Sequence, residues 1–274
     1  MGSFSNYAED ACLNHLLTTP YTSVATVYLA LATADPTDAG TGASMSEVAN
    51  SGAYARTAIT FGAAASRRVT QSGAVVFPEA TGNWSGPITH WAVLDSGTHG
   101  AGNMLAHGAF ATPFSVVTGN IRTVPTTEVY VEFSANIISN YAANGFLDRM
   151  FRNQAFTVSN TWLAVCTVAV ADTMTGTTIT EPGGGVNYSR TEVNEAGGAS
   201  PAWTAASGGA ASNANDIVLP DPSGSWGNIK AYAVCDAATV GNLLFYGNDV
   251  VDQDVGAETT AILFVTGDLD IAGT

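Results

Sequence analysis

Three residues with complementary chemistry occur twice in the sequence at one spacing. Glu47, Tyr54 and Arg56 are repeated 134 positions later as Glu181, Tyr188 and Arg190. A carboxylate held by an arginine could form a polar functional site. The same residues could instead form an ion pair that ties a loop to the next strand, for which the bidentate geometry of arginine suits better than lysine. Because one active site seldom needs two copies, we interpret both sets as structural.

Two further residue types recur in the same register. Trp84 and Trp226 each follow a glycine by two positions, and Asp95 and Asp236 each end an apolar segment. An exposed tryptophan face would suit stacking on a sugar, whereas a buried one would cap the corner of a β domain, which is the interpretation that we favour. An aspartate at the end of a strand usually forms a turn with its own backbone.

Other catalytic or ligand-binding patterns are absent from the sequence. The histidines are His15, His90, His99 and His107, all in the first half, and none forms an HxH or HExxH pattern. The sequence also lacks the G-x-S-x-G motif of a nucleophile elbow and a phosphate loop ending in Gly-Lys-Ser/Thr. We therefore predict no catalytic residues, no metal site and no cofactor.

The repeat divides the chain into two domains, which we predict at residues 1–135 and 140–274. Each opens with a helical pattern, predicted over Tyr7–Leu17 and Asn144–Phe151. An apolar segment follows in each copy, Thr26–Thr33 and Asn160–Thr167, and is typical of a strand buried on both faces.

Each repeat continues with short strands separated by turn residues. The second copy is about eight residues longer, within the Gly/Ala/Ser/Asn-rich stretch 196–215, where loop growth costs little. The closing strands are predicted at Glu128–Ser134 and Ala261–Thr266, and the linker at Ala135–Ser139. We predict a mainly β chain of two tandem antiparallel β-sandwich-like domains, each led by a short α-helix.

Composition excludes several classes of protein. Eight basic residues against 23 acidic ones give a formal net charge of −15, which disfavours binding to nucleic acid. No apolar stretch approaches the length of a membrane span, about 18 residues. Three cysteines, Cys12, Cys166 and Cys235, are an odd number without a CxxC pair, so no disulfide framework is predicted. We expect a soluble chain made in a cytoplasm, without membrane contact.

Five segments of the first copy together resemble a known module. They are Leu29–Pro36, Gly52–Arg56, Phe77–Trp84, Ile88–Trp91 and Gly102–Gly108. They are similar to a module of tailed-phage structural proteins, of the tail-fibre, minor-tail or head-decoration type, which also occurs in phage-like gene-transfer particles. The second copy is a diverged version of the first.

The resemblance implies a non-enzymatic virion protein that contacts other virion proteins, such as the major capsid protein or tail proteins, and copies of itself. Our first expectation is a head accessory protein that decorates or cements the capsid or its vertices. The alternative is a tail or fibre component that binds a host-surface glycan, for which Trp84, Trp91 and Trp203 would line an exposed groove. A hydrolase would need paired carboxylates about 5–10 Å apart in a cleft. The sequence offers no such pair.

Overall fold

The computed structural model of the protein describes residues 2–133, 137–248, 253–257 and 260–272. We use "first unit" for residues 2–133 and "second unit" for residues 137–272. The predicted domain limits at 1, 135 and 274 lie outside the described residues, as do Ser134 and the first two residues of the predicted linker.

Each unit has one α-helix near its start. These are α1 (Asn6–Leu17) and α2 (Asn140–Arg152). The side chains of Ser5 and Ser139 accept hydrogen bonds from the backbone N–H groups of Ala8 and Ala142 and so act as N-caps. The prediction that α2 begins at Asn144 is therefore wrong by four residues. Both helices in the described part of the chain fall short of a membrane-crossing length.

The strands of the first unit form one large sheet and one two-stranded ribbon. They are β1 (Gly2–Phe4), β2 (Val27–Ala32), β3 (Thr57–Ile59), β4 (Arg68–Thr70), β5 (Val75–Glu79), β6 (Ile88–Leu94), β7 (Met104–Phe114), β8 (Ile121–Val124) and β9 (Tyr130–Glu132). Seven of them form one sheet in the order β3-β2-β6-β7-β1-β9-β4, and β5 pairs with β8 as a separate ribbon. Pairing is antiparallel except between β1 and β9.

The second unit repeats much of this arrangement, in strands of equal or shorter length. They are β10 (Thr161–Cys166), β11 (Thr191–Val193), β12 (Ala210–Ser212), β13 (Ile217–Val218), β14 (Gly227–Ile229), β15 (Ala231–Cys235), β16 (Leu243–Gly247), β17 (Gln253–Val255), β18 (Leu263–Phe264) and β19 (Asp270–Ala272). The order β11-β10-β15-β16 matches β3-β2-β6-β7. The prediction of a mainly β chain with two tandem domains, each with a short helix near its start, is confirmed.

One predicted correspondence between the units is wrong. The segment predicted to close the second unit, Ala261–Thr266, contains β18, which pairs with β13 as β8 pairs with β5. The counterpart of β9 is β19, since β19 pairs with β12 as β9 pairs with β4. The β19 strand is only three residues long, too short to show alternation clearly in the sequence.

The central sheet of the first unit buries both of its faces. Leu29 and Leu31 of β2 lie in the main core, which also receives Phe77 from the β5–β8 ribbon. Ala30 and Ala32, on the opposite face, pack with Met45 in a smaller cluster. Since successive residues of a strand point to opposite faces, a continuous apolar run requires this two-sided burial.

The main core is shared by the two units. It includes Leu13 and Leu16 of α1 together with Phe146 and Met150 of α2, all of them fully buried. The duplicated domains therefore fold against each other through their helices.

Each helix also holds a hairpin of the other unit. Asp10 Oδ1 of α1 accepts a hydrogen bond from Gly209 N at 2.7 Å, and Asn14 Oδ1 accepts one from Ala206 N at 2.9 Å. In return, Asn144 Oδ1 of α2 accepts from Arg67 N at 2.8 Å, and Asp148 Oδ1 accepts from Ala64 N at 2.8 Å. These four side chains accept hydrogen bonds from the two hairpin turns. The central residues of the turns have positive φ and are Ser66 with Arg67 and Gly208 with Gly209. The contacts between the two units are thus reciprocal, as in an approximately two-fold-symmetric dimer.

Candidate functional site

The repeated glutamate and arginine of the first unit form a buried bidentate ion pair. Arg56 precedes β3, and Glu47 lies in the loop after β2. Arg56 Nε lies 2.8 Å from Glu47 Oε1, and Nη2 lies 2.7 Å from Oε2. The Arg56 side chain is fully buried and that of Glu47 is 3% exposed. Such parallel charge-assisted bonds hold the loop to the strand.

The remaining N–H groups of Arg56 bind backbone carbonyls of the β6–β7 loop and of the loop that carries Glu47. Nη1 donates to Ser96 O at 2.9 Å and to Ala101 O at 2.7 Å, and Nη2 donates to Gly42 O at 3.1 Å. A guanidinium has five N–H donors, and all five are therefore used within the protein. This leaves no N–H group of Arg56 free to bind a ligand.

The second unit repeats the arrangement bond for bond. Arg190 donates to Glu181 through Nε at 3.0 Å and through Nη2 at 2.8 Å. Its other bonds run to the carbonyl oxygens of Ala237, Val240 and Gly176 at 2.7, 2.9 and 2.6 Å. The Glu181 side chain is 21% exposed, so the carboxylate of the second cluster is more open to water than that of Glu47.

The repeated tyrosines complete the two clusters. Tyr54 OH donates to Glu47 Oε1 at 3.0 Å and accepts from Leu31 N of β2 at 3.0 Å. Tyr188 OH donates to Glu181 Oε1 at 2.7 Å and accepts from Val165 N at 3.2 Å. Burial, and next the charge of the neighbouring glutamate, raise the pKa of both phenols, so each stays a neutral donor at physiological pH.

Trp84 and Trp226 pack edge-on against these tyrosines, with ring centroids 5.3 and 5.1 Å apart. Their Nε1 atoms donate to the carbonyls of Gly52 and Val186 at 2.8 and 2.9 Å. Both tryptophans are buried, as are Trp91 and Trp203. Stacking on a sugar requires an exposed ring face, so Trp84, Trp91 and Trp203 do not form the groove expected of a glycan-binding protein.

Asp95 and Asp236 hold the loops whose carbonyls bind the arginines. Asp95 Oδ1 accepts from Asn103 N at 2.7 Å, and Oδ2 accepts from Asn103 Nδ2 at 2.7 Å. Asp236 makes the same two bonds to Asn242, at 2.6 and 2.7 Å. The structure therefore brings together all ten repeated residues as two clusters of five, and their purely structural role stays a prediction.

Sequence reasoning missed a repeated residue at the start of each helix. Ser5 and Ser139 also donate from their hydroxyls to the carbonyls of Met104 and Leu243, which fastens each helix to the central sheet. The sequence Ser-Asn-Tyr-Ala occurs at residues 5–8 and again at 139–142, at the same spacing of 134. This repeated tetrapeptide could have revealed both N-cap serines from the sequence.

The histidines do not cluster. His15 is buried between the helices, whereas His107 lies between the carboxylates of Asp35 and Asp38, at 3.3 and 2.9 Å. Across the part of the chain that the structure describes, no group of three histidine, cysteine or acidic residues could hold a metal ion.

The chain contains two copies of a mainly β unit, and in each copy the polar residues of the cluster form hydrogen bonds with one another. These features define a duplicated structural module. A family model described as "Podophage GP4 fiber I protein gp80" matches the chain twice, over residues 3–132 and 137–272. The chain therefore belongs to this family of podophage fibre proteins. A comparison with curated proteins finds no match.

The family match confirms the predicted resemblance to a tandem-duplicated phage virion module. The chain is a structural component of a phage virion. The match gives no support to the head accessory role that was our first expectation.

Proposed function

We propose that this chain is a non-enzymatic building block of a phage tail fibre and that it contacts the host surface. The observation that carries the proposal is the double match to a fibre protein, which spans both units. The expected alternative of a tail or fibre component thus replaces capsid decoration as the preferred function.

The internal chemistry of the two clusters supports a mechanical role. Each arginine joins two loops through a buried guanidinium, and breaking such an ion pair leaves an uncompensated buried charge. The shared core and the reciprocal helix–hairpin bonds unite the units into one body. A fibre element needs this resistance to local opening because it transmits force between the particle and the cell.

The outer surface supports contacts with other virion proteins or with further copies of the chain. Val76 of β5 and Val218 of β13 occupy equivalent positions in the two ribbons, and both are about half exposed. These two equivalent exposed valines give one chain two similar apolar contact points. We expect the purified chain to form a homo-oligomer, which light scattering coupled to size-exclusion chromatography would measure.

Labelling of intact virions tests the proposal directly. Gold-tagged antibodies raised against the purified chain would be imaged on particles by electron microscopy. We expect gold at the tail and its fibres. Gold distributed over the capsid lattice or at its vertices would overturn the fibre proposal in favour of head decoration.

A further inference from the structure

The duplication provides an internal comparison for every surface of the protein, and one surface differs sharply between the units. Beside α1, Tyr7, Ala11 and Tyr21 line an open groove of about 360 Å³, which Ala206 of the second unit also borders. This volume lies within the range of small-ligand sites, roughly 300–1,000 Å³.

The equivalent space beside α2 is filled by Phe156. Gly145 is the counterpart of Ala11, and a Cβ atom added to Gly145 would lie 2.4 Å from the Phe156 ring. Tyr141, the counterpart of Tyr7, contacts that ring edge-on with centroids 5.5 Å apart. Glycine at position 145 thus permits an aromatic residue to close the groove.

The first unit has no such closure. Ala11 carries a methyl group where α2 has glycine, and Tyr7 makes no ring contact with another aromatic residue in the described ranges. Tyr7 and Tyr141 are both 40% exposed, so the two units differ in the ring of Phe156 beside the tyrosine and not in the exposure of the tyrosine itself. The groove is therefore open in the first unit, whereas Phe156 fills it in the second unit.

The open groove combines an aromatic ring with oriented polar groups. Asp10 and Asn14 line it, and each is held in place by its hydrogen bond to the hairpin of the second unit. Asn14 uses its Oδ1 atom in these bonds, and its Nδ2 atom donates to no group in the described part of the chain. The hydroxyl groups of Tyr7, Thr19 and Tyr21 add further donors and acceptors.

A sugar fits this combination of groups. The C–H face of a pyranose packs on an aromatic ring, and its hydroxyls bind planar carboxylate and amide groups. Asp10 is the charged residue that lines the groove, and Glu9 and Asp38 lie near it. Arg149 donates to Tyr21 O, but this one cation faces several carboxylates in a chain with a net charge of −15, so an acidic sugar would be repelled. The chemistry therefore favours an uncharged sugar residue.

We propose that the groove beside α1, in the first unit alone, binds an uncharged sugar residue of a bacterial surface polysaccharide. The proposal rests on the fibre function, because it supplies the host contact of that fibre. Binding energy comes from Tyr7 and the polar groups around it, and the second unit contributes by orienting Asp10 and Asn14.

An array of neutral and acidic oligosaccharides from bacterial O-antigens and capsules, probed with the full chain, tests the proposal. We expect binding to neutral members only. The Tyr7→Ala variant should bind the best neutral oligosaccharide at least about tenfold more weakly, through loss of the aromatic contact. The matched Tyr141→Ala variant should bind it within about twofold of the unmodified chain, because the groove of the second unit is filled.

A second variant, Thr19→Trp, fills the groove from its exposed rim and should also abolish binding. Thermal unfolding midpoints of all three variants would verify that each is folded. Three results would overturn the proposal: no neutral oligosaccharide bound, Tyr7→Ala binding as tightly as the unmodified chain, or equal losses in Tyr7→Ala and Tyr141→Ala. Gold labelling at the tail together with any of these would leave the fibre function intact and remove only the sugar site.

Discussion

Asp10 of α1 and Asn144 of α2 occupy equivalent helix positions, and each caps the hairpin turn of the opposite unit. One helical turn later the order of residue types reverses, with Asn14 on α1 and Asp148 on α2. Each helix thus presents one carboxylate and one amide to backbone N–H groups of the opposite hairpin, and Asp10 accepts from Gly208 N as well as from Gly209 N. This reciprocity is the geometry of an isologous dimer interface, held within a single chain.

The reciprocal hydrogen bonds between helices and hairpins predict that the two units unfold in a single transition. Replacing Asp10 by alanine removes the acceptor of two backbone N–H groups of the opposite hairpin, and replacing Asn144 removes the acceptor of one, which should cost about 1 to 2 kcal/mol in each case. Urea unfolding followed by circular dichroism measures this cost, with the exposed Glu79→Ala variant as control. Because the core is shared, both variants should still unfold in one transition. Two separated transitions in either variant would contradict the shared-body interpretation.

The arginine clusters predict a ranked loss of stability. Lysine keeps the charge but cannot supply five donors, so Arg56→Lys should lower the free energy of unfolding by about 3 kcal/mol. Arg190→Lys should cost less, because water reaches the Glu181 carboxylate and can compensate it. The measurement is again urea unfolding.

Arg68 provides the control for that ranking. Its side chain is 46% exposed and pairs with Glu132, so Arg68→Lys should cost less than about 1 kcal/mol. Equal effects of the Arg56 and Arg68 substitutions would show that the buried cluster contributes no more than a surface ion pair.

The repeated residues explain how much of the site was predictable from the sequence. Arg56 recurs in identity, since no other side chain supplies five N–H donors in this geometry. Glu47 and Tyr54 recur with it because the Glu47 carboxylate binds that guanidinium and the Tyr54 hydroxyl donates to that carboxylate. Comparing the two halves at one spacing was therefore enough to find both clusters and the duplication of the fold.

The contacts between the units were not predictable in this way. Position 10 is aspartate where position 144 is asparagine, and an N–H group accepts either oxygen, so no identity marks the pair. Likewise, Phe156 closes its groove only because position 145 is glycine. Neither feature has a periodicity that a sequence pattern could reveal, because both depend on which surfaces meet in the folded chain.

Burial predicts that all three cysteines are unreactive in the folded protein. It raises the pKa of Cys166 and of Cys235 to about 12, and it also raises the pKa of Cys12. Because the thiolate is the reactive form, a disulfide reagent at pH of about 8 should label none of them before unfolding and all three in denaturing guanidinium chloride. Labelling of a thiol in the native protein within seconds would contradict the burial of that residue.

His15 predicts a weakening of the protein in acid. It lies between the helices, its ring 5.8 Å from Phe146 and 5.5 Å from Phe156, and its Nδ1 accepts a hydrogen bond from Tyr21 N at 2.9 Å. Burial and the charge of Arg149 lower its pKa from 6.5 to about 4, against a smaller opposing effect of the Phe156 backbone. The folded protein therefore keeps His15 neutral where the unfolded chain binds a proton.

The unfolded state binds more protons between pH 6.5 and about 4, so the stability contributed by neutral His15 is present above pH 6.5 and is lost as the pH falls towards 4. The loss should be on the order of 2 kcal/mol after allowance for solvent screening. His15→Gln retains an acceptor for Tyr21 N but does not titrate, so the difference between the two unfolding free energies across this range isolates His15 from the carboxylates. The difference in unfolding free energy between the unmodified chain and His15→Gln should become smaller as the pH falls. A difference that stays constant would show that His15 is protonated in the folded protein as readily as in the unfolded chain.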